Sequence, residues 1–94
     1  MNEQLLQSLI DKINEIRPDI LAADVARLVK DQMFARRLSS LQTIAWLNRL
    51  PPRELIPLLG RLIKHDQANE RLAARQRYAR GELLTGQDVR ELLK

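Results

Sequence analysis

The first twenty residues constrain the fold most. Leu6, Leu9, Ile13, Ile16 and Ile20 recur at alternating spacings of three and four, which winds them into one stripe along an α-helix. Leu5 and Ile10 widen the stripe. A helix carrying so continuous an apolar seam needs a second surface to cover it, so the chain must build a bundle or associate. Pro18 ends the helix, because proline disfavours helical geometry at Arg17 and has no N–H for the ladder. It can then open a second helix at its first turn, with Ile20, Leu21, Val25, Leu28, Val29 and Met33 as the apolar face and Asp24, Arg27, Lys30 and Asp31 as the wet one.

The remaining punctuation comes from proline and glycine. A third helix runs from about Phe34 or Ser39 to Leu50, apolar over much of its circumference through Leu38, Leu41, Ala45, Trp46, Leu47 and Leu50. Pro51 and Pro52 stop it. After one short turn, Pro57 opens the longest predicted helix, reaching Arg80 and capped by Gly81, which takes positive φ at no steric cost. Its apolar patch of Leu59, Leu62 and Ile63 fades into a polar run near His65. Thr85 and Asp88 have the spacing of a capping box, and Val89, Leu92 and Leu93 give a short last helix an apolar edge. The expected architecture is all-α and a single domain: a bundle of about four helices over residues 1–63, then a protruding basic helical arm ending in a short fifth helix over 64–94.

Composition supports that class. Aromatic residues make up 3% and hydrophobic residues 45% of the 94 positions, which suits helices packed through leucine, isoleucine and alanine. With no cysteine there are no disulfides, thiolate nucleophiles or cysteine metal sites, and a reducing cytoplasm is the expected location. No stretch reaches the 18 or so apolar residues of a membrane span, and the N-terminus lacks a basic-then-apolar signal pattern.

The net charge of +4 is unevenly placed. Residues 1–33 carry −2, whereas 34–64 carry +5 through Arg36, Arg37, Arg49, Arg53, Arg61 and Lys64 against Glu54 alone. On the long predicted helix, Arg61, Lys64, Arg71, Arg75 and Tyr78 fall within roughly a third of the circumference. Such a stripe meets an anionic partner or stays in water.

Catalysis has little to work with. His65 is the only histidine, and Asp66 beside it cannot share its helix face. Asp66 and Glu70 lie one turn apart but lack a further ligand, so they read as a solvated acidic edge rather than a metal site. No serine sits in a nucleophile elbow, and three glycines make no phosphate-cradling loop. Neither a cofactor nor a small-molecule substrate is expected.

Two binding readings remain. In the first, the chain is a helical adaptor or regulator that meets a protein partner or a second copy through Leu6, Leu9, Ile13, Ile16, Trp46 and Leu50. In the alternative it is a basic DNA- or RNA-binding regulator using Arg36, Arg37, Gln42, Arg49, Arg71, Arg75 and Tyr78. Residues 39–50 look locally like the second helix of a helix-turn-helix, with a capping serine and Gln42 and Arg49 facing outward. The seven residues between Asp31 and Ser39 are too many for that motif's turn. The two readings separate on whether the basic residues gather or scatter after folding.

Overall fold

Helix caps divide the chain into more pieces than its hydropathy suggests. The computed structural model describes residues 3–93, with the side chain of His65 outside the described residues. Among the described residues, six α-helices cover Glu3–Ile16 (α1), Ala22–Arg36 (α2), Ser40–Arg49 (α3), Pro52–Gly60 (α4), Ala68–Ala79 (α5) and Gly86–Leu93 (α6), with one 3₁₀ turn at His65–Gln67. No strand occurs among the described residues.

Local chemistry sets the boundaries. Pro18 ends α1 as expected, but it does not open α2. That start lies at Ala22, where the Asp24 carboxylate accepts the Leu21 N–H at 3.0 Å, an acid in a first turn where the helix dipole favours it. The end of α2 is closed without glycine: Arg37 takes a left-handed conformation (φ 55°) and the Leu38 N–H donates to the Met33 carbonyl at 3.1 Å, the six-to-one bond of a Schellman turn. Ser39 and Gln42 cap α3 reciprocally: the Ser39 hydroxyl accepts the Gln42 N–H at 3.2 Å, and Gln42 Oε1 accepts the Ser39 N–H at 3.0 Å. Thr85 and Asp88 do the same work at α6, with the Asp88 carboxylate accepting the Thr85 N–H at 2.9 Å. Gly81 (φ 82°) ends α5 as expected, and the Glu82 N–H reaches the Arg77 carbonyl at 2.8 Å.

The long helix predicted over Pro57–Arg80 is two helices. Glycine at position 60 weakens the ladder, the last turn of α4 tightens as the Leu62 N–H bonds the Leu59 carbonyl, and Lys64 is extended (φ −109°, ψ 141°). The bend lets Leu59 and Leu62 both stay buried. Pro57 sits inside α4 rather than opening a helix. The bond it removes is to the carbonyl of Arg53, an exposed residue that water can serve.

The bundle itself differs from the predicted one in its fourth member. Contacts close a ring of α1 on α3, α3 on α2, α2 on α6 and α6 on α1, while α4 packs on α2. The seam of α1 faces inward: Leu6, Leu9 and Ile13 are buried with Val25, Leu28 and Val29 of α2, Ile44 and Leu47 of α3, and Val89 of α6. Each such side chain contributes roughly 1.5–3 kcal/mol on burial. The C-terminal helix, expected at the tip of an arm, is thus a core element. Val89 is fully buried, the Gly86 N–H donates to Gln7 Oε1 at 2.8 Å, and Arg90 pairs with Glu3.

Nor does α5 project. Arg71 and Ala74 are buried, and the radius of gyration is 12.5 Å, the value of about 12 Å expected when a chain of this length is fully collapsed. Arg71, expected on an outward stripe, ties α5 down instead through its bonds to Asp24.

Candidate functional site

Three regions carry side chains that the fold leaves with chemistry to offer. The first is a buried charge network under α5. The Arg71 guanidinium donates to Asp24 Oδ2 (2.8 Å) and Oδ1 (3.2 Å), to the Asp19 carbonyl (3.3 Å) and to Gln67 Oε1 (2.8 Å). Asp19 is buried beside it and accepts both Arg17 Nε (2.9 Å) and Nη2 (2.8 Å), with Arg75 at 3.8 Å. The hydrogen bond from Arg17 holds the Asp19 carboxyl below the usual carboxylate range against the opposing effect of burial, and the same bond raises Arg17. With its anions answered by arginines, this cluster is a structural clamp joining α5 to the start of α2.

The second region is the outer face of α2. At 100° per residue, Phe34 falls on the side opposite Val25 and Val29, and it is 88% exposed. Arg27 and Lys30 share its stripe. Alongside, a shallow groove of about 280 Å³ lies between α2 and α6, lined by Ala23, Ala26, Arg27, Lys30, Asp31 and Leu92. Leu92 is itself partly exposed.

The third region is a basic face. Arg36, two residues after Phe34 and therefore about 160° away around the helix, lays its guanidinium over the Trp46 ring with 3.7 Å from Cζ to the ring centroid. Gln42 and Arg49 are exposed on α3, within about 60° of Trp46 at the same periodicity. Among the described residues, ion pairs engage Arg17, Arg71, Arg75, Arg80 and Arg90. Arg36, Arg37, Arg49, Arg53, Arg61 and Lys64 have none with any described residue.

The structure therefore redistributes the residues singled out from the sequence. Leu6, Leu9 and Ile13 are buried in the core, and Ile16, Trp46 and Leu50 are half-buried against it, so the α1 seam is covered by the protein's own helices. Arg36 stacks on Trp46, whose side of α3 also carries Gln42 and Arg49, with Gln42 also committed to the α3 cap. Arg71 is withdrawn into the clamp, Arg75 sits at its edge, and Tyr78 lines a cleft of about 540 Å³ between α5 and α6 with Ala74, Arg77, Glu82 and Leu84. The stripe of Arg61, Lys64, Arg71, Arg75 and Tyr78 no longer exists, because its first two members precede the bend. Asp66 and Glu70 are exposed, and the His65 side chain lies outside the described residues.

Phe34 is the residue that reading the sequence missed. Its position opposite the valines of α2 is visible from periodicity alone, once it is assigned to that helix rather than to the start of the next. Compared with known proteins, the chain matches no family model, no curated protein and no solved structure.

Proposed function

We propose that the chain is a non-catalytic binding protein of the cytoplasm, an adaptor or regulator that engages another protein through the outer face of α2. Phe34 carries this reading. A phenyl ring left 88% exposed forgoes about 2 kcal/mol of burial that a partner surface would recover. The groove beside Leu92, with Arg27 and Lys30 along its edge, suits a helix laid across α2 and α6. The seam of α1 takes no part, since the fold has already used it.

A photo-crosslinking residue placed at position 34, with a control at exposed Gln76 on α5, tests this in the producing cell. The expected outcome is one discrete adduct at 34, absent at 76 and lost in the Leu92→Asp background. Equal labelling at both positions, or none at either, overturns the reading. Sedimentation equilibrium then identifies a second copy as the partner if a dimer reverts to monomer in Phe34→Ser.

The basic residues of 34–64, which make no ion pair among the described residues, favour a second reading, a nucleic-acid-binding regulator. Its contact surface would lie on the other side of α2 from Phe34.

A further inference from the structure

We propose that the face built around the Arg36–Trp46 stack is a docking site for the phosphate backbone of a polynucleotide, with Arg36, Arg37 and Arg49 supplying the phosphate contacts. The inference rests on the nucleic-acid reading and specifies where and how binding occurs. The stack comes first. A guanidinium lying 3.7 Å over an indole is held in place by cation–π attraction, so fewer of its rotamers are lost when it grips a ligand. Its planar fork matches phosphate oxygens bidentately. An arginine swinging free in water has no such preorganisation.

Charge is the second observation. No acidic residue occurs between positions 34 and 53, and none of Arg36, Arg37, Arg49 and Arg53 makes an ion pair among the described residues. The ion pairs of the described residues lie elsewhere: Asp19 and Asp24 in the clamp, Glu82 with Arg80, Glu3 with Arg90. No contact ion pair among the described residues therefore neutralises these four guanidinium groups.

The polarity of the face decides the class of ligand. Its exposed positions are Arg36, Arg37, Gln42 and Arg49, and the one large ring beside them, Trp46, carries the Arg36 guanidinium over its face. An amphipathic acidic helix would find little apolar surface here, since Leu41 points about 140° away from Trp46 around α3 and the Trp46 ring lies under Arg36. A phosphodiester chain asks for cations and neutral donors. Gln42 supplies the donor, because its Oε1 is taken by the Ser39 N–H and its amide NH₂ remains. A second copy of this chain would set like charges against one another.

Trp46 is the only tryptophan, so its emission reports on this site alone. Full-length protein is titrated with a 20-base-pair DNA duplex at 50 and 200 mM salt, following both duplex anisotropy and Trp46 emission. Binding should change the emission and weaken about forty-fold between the two salt concentrations, the dependence expected for three phosphate contacts. Arg36→Ala and Arg49→Ala should each weaken binding several-fold and lower the salt slope by about one, while Arg77→Ala, at an exposed position of α5, leaves both unchanged. Arg36→Lys should keep the salt slope and lose the emission change. Absence of binding at 50 mM salt overturns the nucleic-acid reading together with this site. Binding that leaves Trp46 emission unchanged, or that Arg77→Ala weakens as much as Arg36→Ala, overturns the site alone. Poly-glutamate matching the duplex in affinity and emission change assigns the face to an acidic protein segment instead.

Discussion

Replacing Arg71 with methionine tests the organisation of this fold most directly. The side chain is 8% exposed and donates to both Asp24 oxygens, the Asp19 carbonyl and Gln67. Methionine keeps the unbranched stem and deletes every donor, leaving the Asp24 carboxylate buried with the Leu21 N–H as its remaining bond. Removing one partner of a buried pair costs about 3–5 kcal/mol. The retained bond and the N-terminal dipole of α2 place this case near about 3 kcal/mol. A domain of this length holds roughly 5–14 kcal/mol in total, and each kcal/mol shifts the melting midpoint by about 4–8 °C, so Tm should fall by about 12–24 °C. The assay is urea and thermal unfolding followed by circular dichroism on the wild type, Arg71→Met, Asp24→Leu and the double variant. Removing both charges leaves no orphaned charge, so the double variant should lose only about 1–2 kcal/mol, mostly the cap. A fall of less than about 3 °C in Arg71→Met, with additive effects in the double variant, would refute the clamp and restore α5 to a dispensable arm.

Three further outcomes follow from the same geometry. Arg37→Gly should stabilise the protein by about 1 kcal/mol because it relieves the left-handed strain at φ 55°, and Gly81→Ala should cost about the same at φ 82°; urea midpoints moving in the same direction would contradict this. Asn14 is buried and its Nδ2 donates to the Leu84 carbonyl at 3.0 Å, so Asn14→Ala should cost about 1–3 kcal/mol, read as loss of amide-exchange protection in α6 as well as lower Tm. Because Asp19 titrates lower in the folded protein than in the unfolded chain, its stabilisation is complete above the ordinary carboxylate value of about 4 and is lost as pH falls through the folded value. Thermal melts from pH 7 to pH 2 should show a shallower acid limb in Asp19→Asn, and an unchanged limb would exclude Asp19 from the acid transition.

Much of the secondary structure was legible because its causes are local. The stripe of Leu6, Leu9 and Ile13, the stops at Pro18 and Pro51, the Ser39 cap, the Gly81 terminus and the Thr85–Asp88 pair each act over a turn or two of backbone, and the chain alone determines them. The all-α class follows from the same short-range pattern. The candidate site was legible only in its composition, since the excess of bases in 34–64 is a property of the chain but the meeting of Arg36 with Trp46 joins two helices.

What the tertiary structure decided are the long-range choices. Arg71 and Asp24 are 47 residues apart, and nothing near either predicts that one cation in an apparent stripe will leave the surface to answer a buried carboxylate. The bend after Gly60 is of the same kind. A continuous helix is locally acceptable there, yet only a break keeps Leu59 and Leu62 in the core while α5 returns to the α2 start. The fourth wall of the bundle is α6 rather than the fourth helix in order for a related reason: eight residues form a weak helix alone, and their apolar edge has value only where α1 and α2 leave a groove for Val89. Short-range preferences sit in the residues themselves, whereas which surfaces cover one another depends on burying the most apolar area with every buried charge answered, and that is settled only when the whole chain has closed.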